Sequence, residues 1–178
     1  MRVLLYFLLI TTAVFAQSQS LEAVRKSFHE AVKDPQKSKE FYDYIKEHPG
    51  TDPVIMAYKA VSKAMVAQAI WNPLAKYSHV KRFNKEINEI VSTHQNHLEI
   101  RFLRFAVEYY LPRFLMMSDH LDEDRDFLIT NLSSIEGLGI DNDFAKYIIY
   151  FMNETGMVAM DEMEEIKASL APGPDHQF

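Results

Sequence analysis

The sequence predicts an all-α fold, and three observations carry that expectation. Asp34-Pro35, Asp52-Pro53 and Asn72-Pro73 each place a capping side chain before a proline, the arrangement that opens a helix. Apolar residues recur at spacings of three and four rather than two. Glycine is scarce, and no Asn-Gly or Asp-Gly pair marks a hairpin between strands.

The elements follow in order. Residues 1–16 read as a signal peptide: Met1 and Arg2 give a positive start, 3–14 is an apolar run, and Val14-Phe15-Ala16 predicts cleavage after Ala16. The first helix is expected over about 20–33, and the second over 35–48, stopped by Pro49-Gly50. A third runs from 53 to about 71, with Ile55, Tyr58, Val61 and Met65 on one face and Ala57, Ala60 and Ala67 allowing close neighbours. The fourth covers 73 to about 93, with Tyr77, Val80, Phe83, Ile87 and Ile90 in helical spacing. Asn96 and Glu99 form a capping-box pattern before a fifth helix, about 97–111, which Pro112 ends. A sixth helix is expected over 122–132, then a loop marked by Gly137 and Gly139. The seventh covers 143–153 with Gly156 as its C-terminal cap, and the eighth about 160–170. Residues 17–170 thus form one helical-hairpin domain, and 171–178 a frayed tail. Short connections set consecutive helices antiparallel, giving about four hairpins stacked as a short α-solenoid, with a closed helical bundle as the competing arrangement.

Composition bounds the function. The chain has 178 residues, enough for a core without staples, and no cysteine, which excludes disulfides, thiolate metal sites and cysteine nucleophiles. Its net charge of −6 argues against a general nucleic-acid footprint. Export without cysteine points to a bacterial periplasm or to secretion, and no stretch after the leader has the length of a membrane span.

The stretch NEIVSTHQNHLEIRFLRFAV, residues 88–107, resembles the junction of a tetratricopeptide repeat. Ile90 and Val91 stand in the apolar pair that ends a second helix, Asn96 caps, Glu99 takes the acidic place, and Ile100, Phe102 and Leu103 pack the next helix. His94 stands near the family's usual proline, and no second full repeat follows at the 34-residue period. Glu99-Ile100-Arg101-Phe102-Leu103-Arg104 followed by Pro112-Arg113-Phe114-Leu115 also resembles a family of exported bacterial helical proteins. That resemblance implies origin and fold, and no activity.

Candidate chemistry centres on Arg101 and Arg104, one turn apart among apolar residues. Two guanidiniums so placed can bind a carboxylate or phosphate, with Glu99 and Tyr109 beside them. They can equally pair with Glu99, Glu108 or an acid of a neighbouring hairpin. His79, His94, His97 and Glu99 lack a metal-ligand motif and suit turns and caps better. Asp119, Asp122, Glu123, Asp124 and Asp126 have a calcium-loop composition without its order, and acids in a first helical turn complement the helix dipole. No phosphate loop or nucleophile elbow occurs. The aromatics at helical spacing, Phe41, Tyr58, Trp71, Phe102 and Phe114 among them, suit the core, with a few tyrosines left to face a partner.

The expected function is therefore an exported, non-enzymatic helical-repeat module. It would hold a protein or peptide partner in the cell envelope through Arg101, Arg104, Glu99 and Tyr109, with no cofactor and no nucleic acid. The alternative is a helical protein that binds, or acts on, a small anionic ligand with the same arginines. A purely structural envelope protein is the third reading.

Overall fold

The computed structural model describes residues 21–34, 36–132 and 142–169. The expected leader and its cleavage point, Pro35, the Gly137 and Gly139 loop and the tail lie outside the described residues. Within them the fold is all-α, with no strand. Helix α1 spans 21–33; α2 spans Lys37–Glu47, α3 Pro53–Ala67, α4 Pro73–Thr93 and α5 Leu98–Tyr110. A 3₁₀ turn, Arg113–Leu115, precedes α6 (Leu121–Leu132), α7 (Asn142–Thr155) and α8 (Met160–Ser169). Consecutive helices α2 and α3 pack on each other, as do α5 and α6. The chain divides into two compact units, one ending at Glu86 and the other beginning at Ile87, so the boundary falls inside α4.

The Asp52 and Asn72 caps form, whereas α2 begins at Lys37 with Gln36 as its N-cap residue and no side-chain cap, so Asp34 acts just ahead of the helix. Asp34 Oδ1 accepts from the backbone N–H of Gln36 at 2.9 Å. Asp52 Oδ1 takes those of Val54 and Ile55 at 2.8 and 3.3 Å. Asn72 Oδ1 takes those of Leu74 and Ala75 at 2.9 and 3.3 Å. Asp52 and Asn72 each satisfy N–H groups that the first turn of a helix leaves without a partner. At the other end of the second helix, His48 is extended because Pro49 follows it. Gly156, at φ +64°, takes the left-handed conformation that closes α7.

Two local expectations are corrected. The Asn96–Glu99 capping box does not form: His97 is the N-cap residue of α5, without a side-chain cap, and Glu99 is buried. The third helix stops at Ala67 rather than near Trp71. Its last N–H groups, those of Gln68, Ala69 and Ile70, tighten onto carbonyls three residues back, and the chain must leave helical geometry before Pro73.

In the first unit α3 is the central helix, with Ala57, Tyr58, Ala60 and Val61 almost fully buried. Its alanines let neighbouring backbone approach. Phe28 of α1, Phe41 of α2 and Tyr58 of α3 meet with ring centroids 5.2 to 6.4 Å apart, within the favoured range for aromatic pairs. In the second unit Phe102 of α5 stands edge-on to Phe144, Tyr147 and Phe151 of α7, at 5.9, 5.8 and 5.5 Å. Helix α8 packs on both α6 and α7, burying Met163 and Ile166.

Asp52→Ala leaves the N–H groups of Val54 and Ile55 without their acceptor at the start of the central helix of the first unit. A loss of about 1 kcal/mol is expected, measured as a lowered urea midpoint with an unchanged slope.

Candidate functional site

Arg101 and Arg104 lie on α5, and Glu123 and Asp124 in the first turn of α6. The two clusters that the sequence presents separately are partners of each other. Arg104 donates from Nε to Asp124 Oδ2 at 2.6 Å and from Nη2 to Asp124 Oδ1 at 2.8 Å. This is a bidentate pair between a guanidinium 3% exposed and a carboxylate 0% exposed. Its remaining nitrogen, Nη1, donates to Asn88 Oδ1 at 2.9 Å. Arg101 donates from Nη1 to Glu123 Oε1 at 2.7 Å and from Nη2 to the Glu123 carbonyl at 3.2 Å. Its Nε lies 2.5 Å from Asp124 Oδ1, yet its N–H is not aimed at that oxygen. That contact is one of charge rather than a hydrogen bond. The Phe127 ring covers the same guanidinium, 4.7 Å from its centroid.

One turn further along α5, Glu108 is fully buried. Its Oε2 accepts from the His120 backbone N–H at 3.1 Å, and its Oε1 meets His120 Nδ1 at 3.3 Å. Its carbonyl accepts from Ser118 Oγ at 3.0 Å. Arg101 and Arg104 thus meet the first turn of α6 at Glu123 and Asp124, and Glu108, nearer the end of α5, meets His120 just ahead of it, as in an antiparallel hairpin. Three of these contacts therefore anchor the segment 111–120 at its C-terminal end.

Burial pushes the Asp124 carboxyl above its ordinary range, against the hydrogen bonds of Arg104 and the charges of both arginines. Burial likewise raises Glu108, opposed by the His120 backbone N–H, the His120 ring and Arg104. For Glu123 burial pulls upward too, but Arg101's hydrogen bond and charge outweigh it and hold the carboxyl low. In the aromatic layer nearby, burial and the Tyr110 charge push the Tyr147 hydroxyl up to about 12.

The residues expected to bind a partner thus occupy the interior. Arg101, Arg104 and Glu99 are buried, and the two guanidiniums are committed to acids of α6, the structural option of the two that the sequence left open. Tyr109 donates its hydroxyl to the Thr155 carbonyl at 3.3 Å and stacks beside Phe105, Tyr110 and Phe151. His94 Nδ1 meets Thr93 Oγ1 at 2.8 Å and the Ile90 carbonyl at 3.2 Å. His79 lies edge-on to Tyr42. Among the described residues no group of three or more His, Asp or Glu is arranged to hold a metal ion.

Among the side chains open to water in the second unit are three apolar ones close together in the chain. Tyr110 is 69% exposed, Phe114 82% and Met116 80%, all within seven residues at the end of α5 and in the turn after it. The sequence places Phe114 with the core aromatics, and only its position just past Pro112 hints otherwise. Met116 holds φ +51°, a left-handed conformation uncommon for a non-glycine side chain. Its N–H bonds the Arg113 carbonyl at 3.1 Å, and that of Leu115 the Pro112 carbonyl at 3.0 Å. No family model, curated protein or solved structure matches the chain.

Two outcomes test this frame. Arg104→Ala strands a buried carboxylate and is expected to cost about 3–5 kcal/mol in urea unfolding, whereas Arg104→Met combined with Asp124→Leu loses less. For Glu108, folding favours the protonated carboxyl. Its stabilising contribution is complete below the ordinary value of 4.5 and is lost as pH rises through the higher folded value. Unfolding free energies measured from acidic to neutral pH should therefore move in favour of Glu108→Gln, relative to the unaltered chain, as pH rises.

Proposed function

We propose that the chain is an exported, non-enzymatic helical-hairpin module, tetratricopeptide-like in its packing, that binds a protein or peptide partner in the bacterial cell envelope. The observation that supports this reading is the apolar turn carrying Tyr110, Phe114 and Met116. Exposed aromatic and methionine side chains grouped in so short a segment are what interface centres are built from. Their support is specific: Glu108 ties the end of the turn down through His120 and Ser118, and the 3₁₀ hydrogen bonds set its course. A turn already held in one conformation loses less freedom on binding, and that raises affinity. Arg101 and Arg104 serve this reading by fixing the hairpin that presents the turn, rather than by touching the partner.

A photo-crosslinking amino acid at position 114, in the producing cells, is expected to trap a discrete partner that the same group at the exposed position 164 does not trap. Phe114→Ser should lower partner binding by about 2 kcal/mol or more. Its urea midpoint should stay near that of the unaltered chain, because an exposed side chain contributes little to stability. Identical crosslinking from positions 114 and 164 would sink the reading.

A further inference from the structure

Charge is distributed unevenly along this chain. Between residues 53 and 85 there are six Lys and Arg and no Asp or Glu, although the whole chain carries a net −6. Within that stretch, the start of α4 is the part most open to water. Trp71, the chain's one tryptophan, is 98% exposed, and Leu74 is 80% exposed. Tyr77 is exposed as well, as are Lys76, Lys81 and Arg82.

Helical spacing groups these side chains. Leu74, Tyr77 and Lys81 follow one another at three and four residues and so share a face, with Arg82 at its flank. Val80 and Phe83 point the other way, into the core. Trp71 precedes the helix, and the Asn72 cap fixes the point at which the chain turns into α4. The helix's own N-terminus adds partial positive charge at the same end. The result is an apolar tip of Trp, Leu and Tyr followed by Lys81 on the same face and Arg82 beside it.

We propose that this face docks the chain on an anionic lipid bilayer. Tryptophan and tyrosine favour the boundary between headgroups and acyl chains, where the ring is buried and its polar edge stays wet. Lysine and arginine on the same face are drawn to negatively charged headgroups. Trp71 and Leu74 are almost wholly exposed, and side chains so uncovered suit insertion into a fluid surface that closes around them. No helix among the described residues is long and apolar enough to cross a membrane, so the contact is peripheral. It is independent of the partner-binding turn.

Having one tryptophan makes the test direct, because emission from the full chain reports on Trp71. Equimolar phosphatidylglycerol–phosphatidylcholine vesicles are expected to shift that emission to the blue, and brominated acyl chains to quench it. Pure phosphatidylcholine vesicles should leave it near its value in buffer. Lys81→Gln with Arg82→Gln should weaken partitioning onto the anionic vesicles by roughly thirtyfold, with unchanged helical circular dichroism. Residues 1–16, where retained, are common to both proteins, so the comparison reads α4 and not the leader. Emission unmoved by anionic vesicles, an equal shift on both vesicle types, or a shift undiminished in the double variant would each overturn the proposal. So would a shift with soluble polyglutamate and none with vesicles, which would assign the face to an acidic protein.

Discussion

The buried pair of Arg104 and Asp124 is the constraint on which the second unit depends. Moving a guanidinium and a carboxylate out of water costs several kcal/mol per ion, and attraction alone does not reliably offset it. Here each Arg104 nitrogen has an acceptor, two on Asp124 and one on Asn88. These bonds join α5 to α6 and to the last part of α4. An apolar contact tolerates sliding by a fraction of a turn, whereas a bidentate charged pair tolerates little. The pair therefore sets the register of the α5–α6 hairpin, and Arg101 with Glu123 and Glu108 with His120 tie the same two segments together at further points.

The register in turn determines what the connecting turn can do. Glu108 is reached from the far end of segment 111–120 through a side chain, a ring and a backbone N–H. Met117 and Leu121 are drawn inward. With the turn's end fixed and Pro112 ending α5, the intervening residues must cover the remaining distance in a 3₁₀ turn and one left-handed residue. Phe114 and Met116 then project into water. Their exposure accompanies tethering at the base, where Glu108 holds Ser118 and His120. A cost of about 1–3 kcal/mol for the left-handed residue is affordable only because surrounding contacts over-determine it.

What the sequence made legible was local. Asp34, Asp52 and Asn72 each act within three residues of their own position, so their roles could be read from neighbours in the chain. The apolar spacing of α3 and α5 located the core residues Tyr58 and Phe102 for the same reason. The arginines were visible as a pair, and the acids of α6 as a group, but the contacts joining them span 20 and 22 residues. Spacing within one helix carries no information about the register between two. Asn96 and Glu99 show the converse, since α5 takes His97 and not Asn96 as its N-cap residue although the local motif points to Asn96. Trp71 was expected at a helix end with the core aromatics. Four fewer helical residues in α3 leave it in the connector, where nothing covers it.

One physical rule links the buried ladder to the exposed face of α4. A charge inside must be met by its opposite, so Arg101, Arg104 and their acids appear as a closed set whose fields largely cancel beyond the hairpin. A charge outside is under no such requirement, because water stabilises it alone. Lys76, Lys81 and Arg82 stand on a stretch from which acids are missing, although acids outnumber bases in the chain as a whole. If that stretch served only solubility, interspersed acids would serve equally well and would spare the like-charge repulsion along one helix. Placing a fully exposed tryptophan and leucine at its head adds apolar surface with no benefit to the isolated fold. Both departures act in the same direction, toward a surface that is negative and has an apolar interior. The side chains that hold this chain together and those that it presents outward are therefore separate sets, and substitutions in one should leave the other's work intact.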